Sequence, residues 1–414
     1  FQAEDGIRDC LLSRGLGDVY KRQNTDSATS LEIDSILNQA SDDAGGLTDF
    51  GQLPFKEPLA KVLASLEEEA RLNEIGRYIA RDRMVMHSRN RLLYTADRQR
   101  HPEISEEKIV KPVFIIGLPR TGTTILHDIL GQDPDSRVPM TWECMFPSPP
   151  PRRETFTSDP RIAQCQATFP DVDQMIPAFK TMHPMGAELS QECVTLMGET
   201  MITPLFHNQF RVPSYQNWVD HQADFADVYA FHHQQLQHFQ WQCPGDRWML
   251  KTGAHMWGLE HLLKQYPDAR IVFTHRDPVK SMTSYASLTA LVRSMGSDDV
   301  DREEIAADWI HRLQHVLNHA MDVRETQISS EAKIYEMYFS DFVDDQFSEI
   351  EKIYESLEIE MSGLAADAMR EFIADNPKGK HGEHSYQAAD YGINPTAVRA
   401  LFSRYIERFN LAPE

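Results

Sequence analysis

Residues 113 to 124 read Val-Phe-Ile-Ile-Gly-Leu-Pro-Arg-Thr-Gly-Thr-Thr, a set of residue types suited to gripping an anion. Val113 to Ile116 suit a buried parallel strand, Gly117 and Gly122 a tight turn. Thr123 and Thr124 stand where a helix would start, with Ile125, Leu126, Ile129 and Leu130 as its apolar face. A strand, a glycine loop and a helix N-terminus aim backbone N–H groups into the loop, and the helix dipole favours negative charge there. The Gly-x4-Gly spacing is that of a phosphate-binding loop, but the ATP-binding pattern puts Lys and then Ser or Thr after the second glycine. Thr123 occupies that place, and the only cation is Arg120, inside the loop. The cradle fits phosphate yet lacks the lysine that meets the β and γ phosphates of ATP.

Two more cations fall where such a cradle could use them. Arg247 to Lys251 is a short apolar run ending in Lys251 before a turn at Gly253. Arg270 to His275 is a second run, followed at once by Arg276. Between them Gly258 to Tyr266 reads as a helix, and Asp277-Pro278 as an N-cap and first helical residue. Strand, helix, strand, helix at this spacing predicts a parallel sheet with right-handed crossovers, an α/β architecture whose ligands sit at the carboxyl ends of the strands. The glycine loop, Lys251 and Arg276 all fall at such ends.

Phe1 to Gln23 shows no helical period and is excluded from fold reasoning as an adapter-like, non-native leader. Residues 24 to 110 read as a helical N-terminal extension. Ser27 or Thr29 could cap a short helix carrying Ile33, Ile36, Leu37 and Ala40. From Pro58, apolar residues recur at three and four positions up to Ile79, and Arg77, Arg81, Arg83, Arg89 and Arg91 read as a charged helix face. Residues 111 to 414 form the main domain. Pro147, Pro149, Pro150 and Pro151 suggest a rigid surface loop, and residues 154 to 246, rich in aromatics, His and Gln, a helical insert for binding an acceptor.

The net charge of −22 argues against nucleic acid or an anionic membrane surface as partner, so an anionic ligand needs a local basic cluster. No apolar run reaches membrane-spanning length. Cys144, Cys165, Cys193 and Cys243 lack metal-ligand spacing and read as reduced thiols of a cytoplasmic protein. His311, His315 and His319, and likewise His232, His233 and His238, read as solvated helix faces in the absence of a completed ligand set.

Pro119, Arg120, Thr121, Gly122, Thr123 and Thr124 match without a gap the phosphosulfate loop of sulfotransferases that use 3′-phosphoadenosine 5′-phosphosulfate (PAPS). Arg276 and Ser284, eight residues apart, resemble that superfamily's 3′-phosphate site. Asn376-Pro377-Lys378-Gly379-Lys380-His381-Gly382 resembles the basic loop that closes over the nucleotide. The later segment looks more like a bacterial group than the cytosolic animal enzymes, and the resemblance spans about residues 57 to 410.

The resemblance implies a P-loop-type three-layer α/β/α fold with a central parallel sheet. It implies sulfuryl transfer from PAPS to a hydroxyl or amine of a small-molecule acceptor, with PAP as product and no metal. Arg120 would stabilise the charge growing on the leaving nucleotide, with Lys251 on the sulfuryl oxygens. Arg276, Ser284, Lys378, Gly379 and Lys380 would recognise the 3′-phosphate. Glu143 and His255 are the leading candidates for the general base, with Glu188 and Glu192 also plausible. A P-loop nucleotide or small-molecule kinase, and a non-catalytic nucleotide-binding scaffold, are the rival readings; acceptor and oligomeric state are not specified.

Overall fold

The computed structural model describes residues 29–169, 186–327, 332–377 and 387–414. Five parallel strands form its sheet: β1 (Val113–Gly117), β2 (Ser136–Arg137), β3 (Arg247–Lys251), β4 (Arg270–His275) and β5 (Lys333–Tyr338), in the order β2-β3-β1-β4-β5. Central β1 pairs with β3 through Phe114↔Leu250 and with β4 from Val113↔Arg270 to Gly117↔Thr274. The three strands expected from sequence are β1, β3 and β4. β2, with two residues, and half-buried β5 extend the sheet at its two edges.

Alternate residues of β1 serve opposite faces, as a pleated strand requires. Val113 and Ile115 join Met249 and Val272 in one core; Phe114 and Ile116 join Leu250, Ile271 and Phe273 in another. Covering the sheet in chain order are α1 (Ile33–Asp43), α2 (Lys56–Glu69), α3 (Glu74–Arg100), α4 (Thr123–Leu130), α5 (Thr141–Met145), α6 (Phe225–Gln240), α7 (Pro278–Arg293), α8 (Arg302–Gln327), α9 (Gln346–Ser356) and α10 (Gly363–Asp375). Residues of α4, α9 and α10 fill the first core; residues of α1, α2, α3, α6, α7 and α8 fill the second. Helices on both faces of a parallel sheet give the expected three-layer fold.

The N-terminal helices share the second core rather than standing apart from it. The single helical run expected from Pro58 breaks between α2 and α3, where Arg71 takes φ +51° and Asn73 caps the amide of Gly76 at 2.8 Å. The first helix starts at Ile33 without a side-chain cap, in place of the Ser or Thr cap expected. Nor are the arginines of α3 simply a charged face. Arg91 is buried and donates to the carbonyls of Phe50 (2.8 Å), Leu53 (2.7 Å) and Glu199 (3.0 Å). Arg81 is also buried and donates to the carbonyls of Ser30 and Ser35. Arg91 in this way satisfies carbonyls that would otherwise be stranded away from water, and Arg81 ties the start of α1 to α3.

Two further expectations are corrected. Pro147, Pro150 and Pro151 are buried, and His238 (2.9 Å from the Pro147 carbonyl) and Arg161 (2.9 Å from the Phe146 carbonyl) hold the proline segment inward. His232 and His238 are core residues of α6, with burial pushing both ring pKa values well down. His311 and His315 are exposed, and among the described residues no metal-type cluster of three or more occurs. Cys144, Cys165, Cys193 and Cys243 are buried free thiols. No described helix is long and apolar enough to cross a membrane. Residues 1–23, expected to be a non-native leader, lie outside the described residues.

The tightest junction between the N-terminal helices and the rest is glycine on glycine. Asn73 donates its amide to the Gly296 carbonyl at 3.0 Å, and a Cβ on Gly76 would overlap that same carbonyl. Gly76→Ala is therefore expected to cost about 1–3 kcal/mol by overpacking, seen as a fall in the chemical-denaturation midpoint at unchanged m-value. Unchanged stability would mean that this junction yields.

Candidate active site

The loop after β1 is shaped by contacts too close for side chains. Gly117 has φ +154°, and a Cβ there would lie 2.6 Å from the Thr274 carbonyl of β4. Gly122, at φ +85°, is the N-cap of α4, and a Cβ on it would lie 2.9 Å from the Phe339 ring. A Cβ on Gly253, just past β3, would come within 2.8 Å of the Gly117 carbonyl. Between the first two glycines, Arg120 takes φ +66°, an uncommon conformation for a residue with a side chain. Thr121 is fully buried; its hydroxyl donates to the Leu118 carbonyl (2.7 Å) and meets the Thr274 hydroxyl at 2.5 Å. Its side chain folds the loop. Thr123 and Thr124 open α4, whose N-terminus has no side-chain cap, so its first N–H groups face the loop as an anion cradle.

Residues far apart in sequence converge here. Arg120 Nε donates to Ser284 Oγ at 3.1 Å, and Arg276 Nη1 donates to the Arg120 carbonyl at 2.9 Å. Ser284 lies two turns into α7, whose start is fixed by Asp277 accepting from the Val279 amide at 3.0 Å and by Pro278 in the first turn. The Arg276 guanidinium lies 4.0 Å from the centre of the Phe339 ring and forks onto the Glu414 carboxylate, with Nε and Nη2 each 2.9 Å from Oε2. Phe339 and Glu414 were not singled out from sequence. Phe339 follows β5 directly, and its role emerges only once β5 is placed beside β4.

Lys251, at the end of β3, is buried; its Nζ lies 3.2 Å from Thr124 Oγ1 and 2.5 Å from Glu192 Oε1. Arg120, Arg276, Ser284, Thr123, Thr124 and Lys251 thus surround one glycine loop. Lys378, Gly379 and Lys380 lie outside the described residues.

The two leading base candidates are both enclosed by protein. Glu143 is fully buried on α5; it accepts from Arg137 Nη2 at 2.7 Å and from the Met140 amide at 3.0 Å, and burial raises its carboxyl pKa. His255 is also fully buried, with Nδ1 2.9 Å from the Tyr229 hydroxyl and its ring against Phe114 and Tyr229. Burial drives its pKa well below the usual histidine range. Neither side chain offers surface to an acceptor.

Known proteins agree with this geometry. The profile of the Sulfotransferase family matches residues 112–363. Among solved structures, sulfotransferase STF9 from Mycobacterium avium superposes with a TM-score of 0.86 at 25% identity, covering 95% of this chain and 100% of the other. Sulfotransferase STF1 from Mycobacterium tuberculosis H37Rv gives a TM-score of 0.80 at 29% identity, covering 90% and 98%. The omega-hydroxy-beta-dihydromenaquinone-9 sulfotransferase Stf3 of Mycobacterium bovis is 24% identical over 280 residues, 67% of this chain and 69% of its own. A phosphosulfate-type loop at the carboxyl end of a central parallel strand, in a chain whose family match spans more than half its length, places this protein in the sulfotransferase family as an enzyme of sulfuryl transfer.

Proposed function

We propose that the donor is PAPS and the acceptor a hydroxyl on a small, largely apolar molecule. The observation that carries the donor assignment is the convergence of Arg120 and Arg276 on one loop: the Arg120 guanidinium donates to the Ser284 hydroxyl at 3.1 Å, and the Arg276 guanidinium donates to the Arg120 backbone carbonyl at 2.9 Å. The 5′-phosphosulfate would lie over the first turn of α4, on its N–H groups and the hydroxyls of Thr123 and Thr124. The 3′-phosphate would take the Arg276 fork and Ser284, joined by Lys378, Gly379 and Lys380. Arg is suited to this because its planar fork meets phosphate through two hydrogen bonds. A donor with a 3′-phosphate separates this reading from a kinase, which binds ATP. The apolar acceptor follows the menaquinone derivative in the name of the Stf3 relative. Buried free thiols support a reducing, cytoplasmic setting.

In the reaction, the acceptor oxygen attacks sulfur in line as the bond from sulfur to the 5′-phosphate oxygen breaks, leaving PAP with that electron pair. Negative charge grows on the departing oxygen. Arg120, always protonated, answers it by charge and hydrogen bonding without giving up a proton. Lys251 neutralises the sulfuryl oxygens. The strained backbone at Arg120 is held from both sides, by Arg276 on its carbonyl and by the Thr121–Thr274 hydroxyl contact, so the cation is oriented before the donor arrives.

Two substitutions test the donor site. Arg276→Ala is expected to weaken PAP binding far more than AMP binding, measured by calorimetry; equal losses would remove the 3′-phosphate role. Glu414→Gln removes the carboxylate that holds the Arg276 fork. A partly exposed ion pair is worth roughly 0.5–1 kcal/mol, so PAP should bind about two- to fivefold tighter in this variant. Weaker binding would show that Glu414 supports the fork instead of competing for it.

A further inference from the structure

Resting on the PAPS reading, we propose that Glu192 is the general base that takes the acceptor's hydroxyl proton, at a site adjoining Lys251 and the first turn of α4. Geometry carries this. Lys251 Nζ touches both Glu192 Oε1, at 2.5 Å, and Thr124 Oγ1, at 3.2 Å. The Glu192 carboxylate therefore lies one ammonium group from the helix N-terminus where the sulfuryl group would sit. Its side chain is 26% exposed, against 0% for the Glu143 side chain, so an acceptor can approach it. Its backbone is fixed: the Gln191 amide donates to the Pro139 carbonyl at 2.7 Å, and the Thr141 amide to the Leu189 carbonyl at 3.0 Å, making a short antiparallel bridge on the β2–α5 connection.

The step balances without a further reactant. The acceptor O–H bond breaks and its proton passes to Glu192; the new oxygen–sulfur bond forms as the old one breaks, and PAP leaves with the electron pair. Lys251 has a double part. Paired with Glu192, it holds the carboxylate beside the first turn of α4. A bound sulfuryl group would draw the ammonium toward its own oxygens and release the carboxylate to take the acceptor's proton.

Among the described residues, the titratable groups facing Glu192 include Lys251 of β3, His127 and Asp128 of α4, Tyr285 of α7 and Cys193 beside it. Burial pushes His127 down to about 4, the Cys193 thiol up to about 12 and the Tyr285 phenol up as well. Asp128, raised by burial and bonded by the Ser190 hydroxyl, is the competing carboxylate.

The test uses the full chain, PAPS as donor, and farnesol or water alone as the probe hydroxyl, following PAP release in single turnovers. Glu192→Gln should slow release by about 10²-fold, the low end for a lost general base, with PAP affinity changed by no more than about twofold. A base works only when deprotonated, so the wild-type rate should fall on the acid side. That fall should vanish in Glu192→Gln, return in part in Glu192→Asp and persist in Asp128→Asn. Glu192 is overturned if Glu192→Gln keeps the wild-type rate or the acid-side fall, if that fall disappears in Asp128→Asn, or if wild-type protein binds PAP yet releases none from bound PAPS with either probe. Failure of the wild-type chain to bind PAP at all overturns the donor assignment first, and Glu192 with it.

Discussion

Arg276 donates to the carbonyl of Arg120, so the residue that follows β4 holds the backbone of the loop that follows β1. The functional geometry depends on this contact. It requires β1 and β4 to be parallel neighbours in a fixed register, with Gly117 opposite Thr274. It requires Gly117 to have no side chain, because a Cβ would collide with the β4 backbone. Given both, the loop turns back over β4 and Arg120 adopts its left-handed backbone. Its guanidinium then reaches α7 and finds Ser284. Arg276 meanwhile keeps its other two N–H groups on the Glu414 carboxylate, which balances its charge.

The rest of the molecule reads as support for that corner. The core on one sheet face contains a buried polar network that joins α3 to the segment after Glu192. Glu199 meets His87 and Asn90 of α3 at 3.3 Å each and Gln235 of α6 at 3.2 Å, while its backbone carbonyl accepts from Arg91. Burial lowers the Arg91 pKa to about 10, because the guanidinium is largely removed from water there. Breaking such a network by removing one partner is costly, because the charge left behind is uncompensated. The consequence for function is positional. The chain from Ser190 to Glu199 is pinned at one end by its bridge to Met140 and at the other by α3, so both anchors bound the segment that carries Glu192.

Much of the sheet around the glycine loop was legible in the residue string. β1, β3 and β4 are short apolar runs bounded by glycine or by a cation, and Asp277-Pro278 marks the start of α7 without ambiguity. β5 was not legible because Lys333–Tyr338 mixes charged and aromatic residues on a half-buried edge, and β2 is too short to carry a pattern. Polar residues misled most. Arg81, Arg91, His232 and His238 sit on helices packed on several sides, so a polar residue there faces a buried carbonyl or ring in place of water. His255 and Glu143 had the right chemistry and the right neighbourhood in sequence. What a one-dimensional reading could not supply was their burial. Glu192 was visible only as one of four candidate bases, since its distinguishing feature is a partner 59 residues away on β3.

Charge balance sets the terms for donor binding. The chain carries a net −22, so an anionic nucleotide approaches against an unfavourable field. That field is screened beyond about 8 Å at physiological ionic strength, so the groups within contact distance decide the outcome. Among the described residues these include Arg120, Arg276 and Lys251 against Glu192 and Glu414, a small positive excess with both carboxylates already held by cations. In the proposed site an entering donor would displace them, and the two displacements would act differently. Freeing Arg276 from Glu414 would supply the fork for a 3′-phosphate. Freeing Glu192 from Lys251 would release the carboxylate proposed to deprotonate the acceptor. Donor selection and base release would then be coupled through two ion pairs, while the loop between them stays in place.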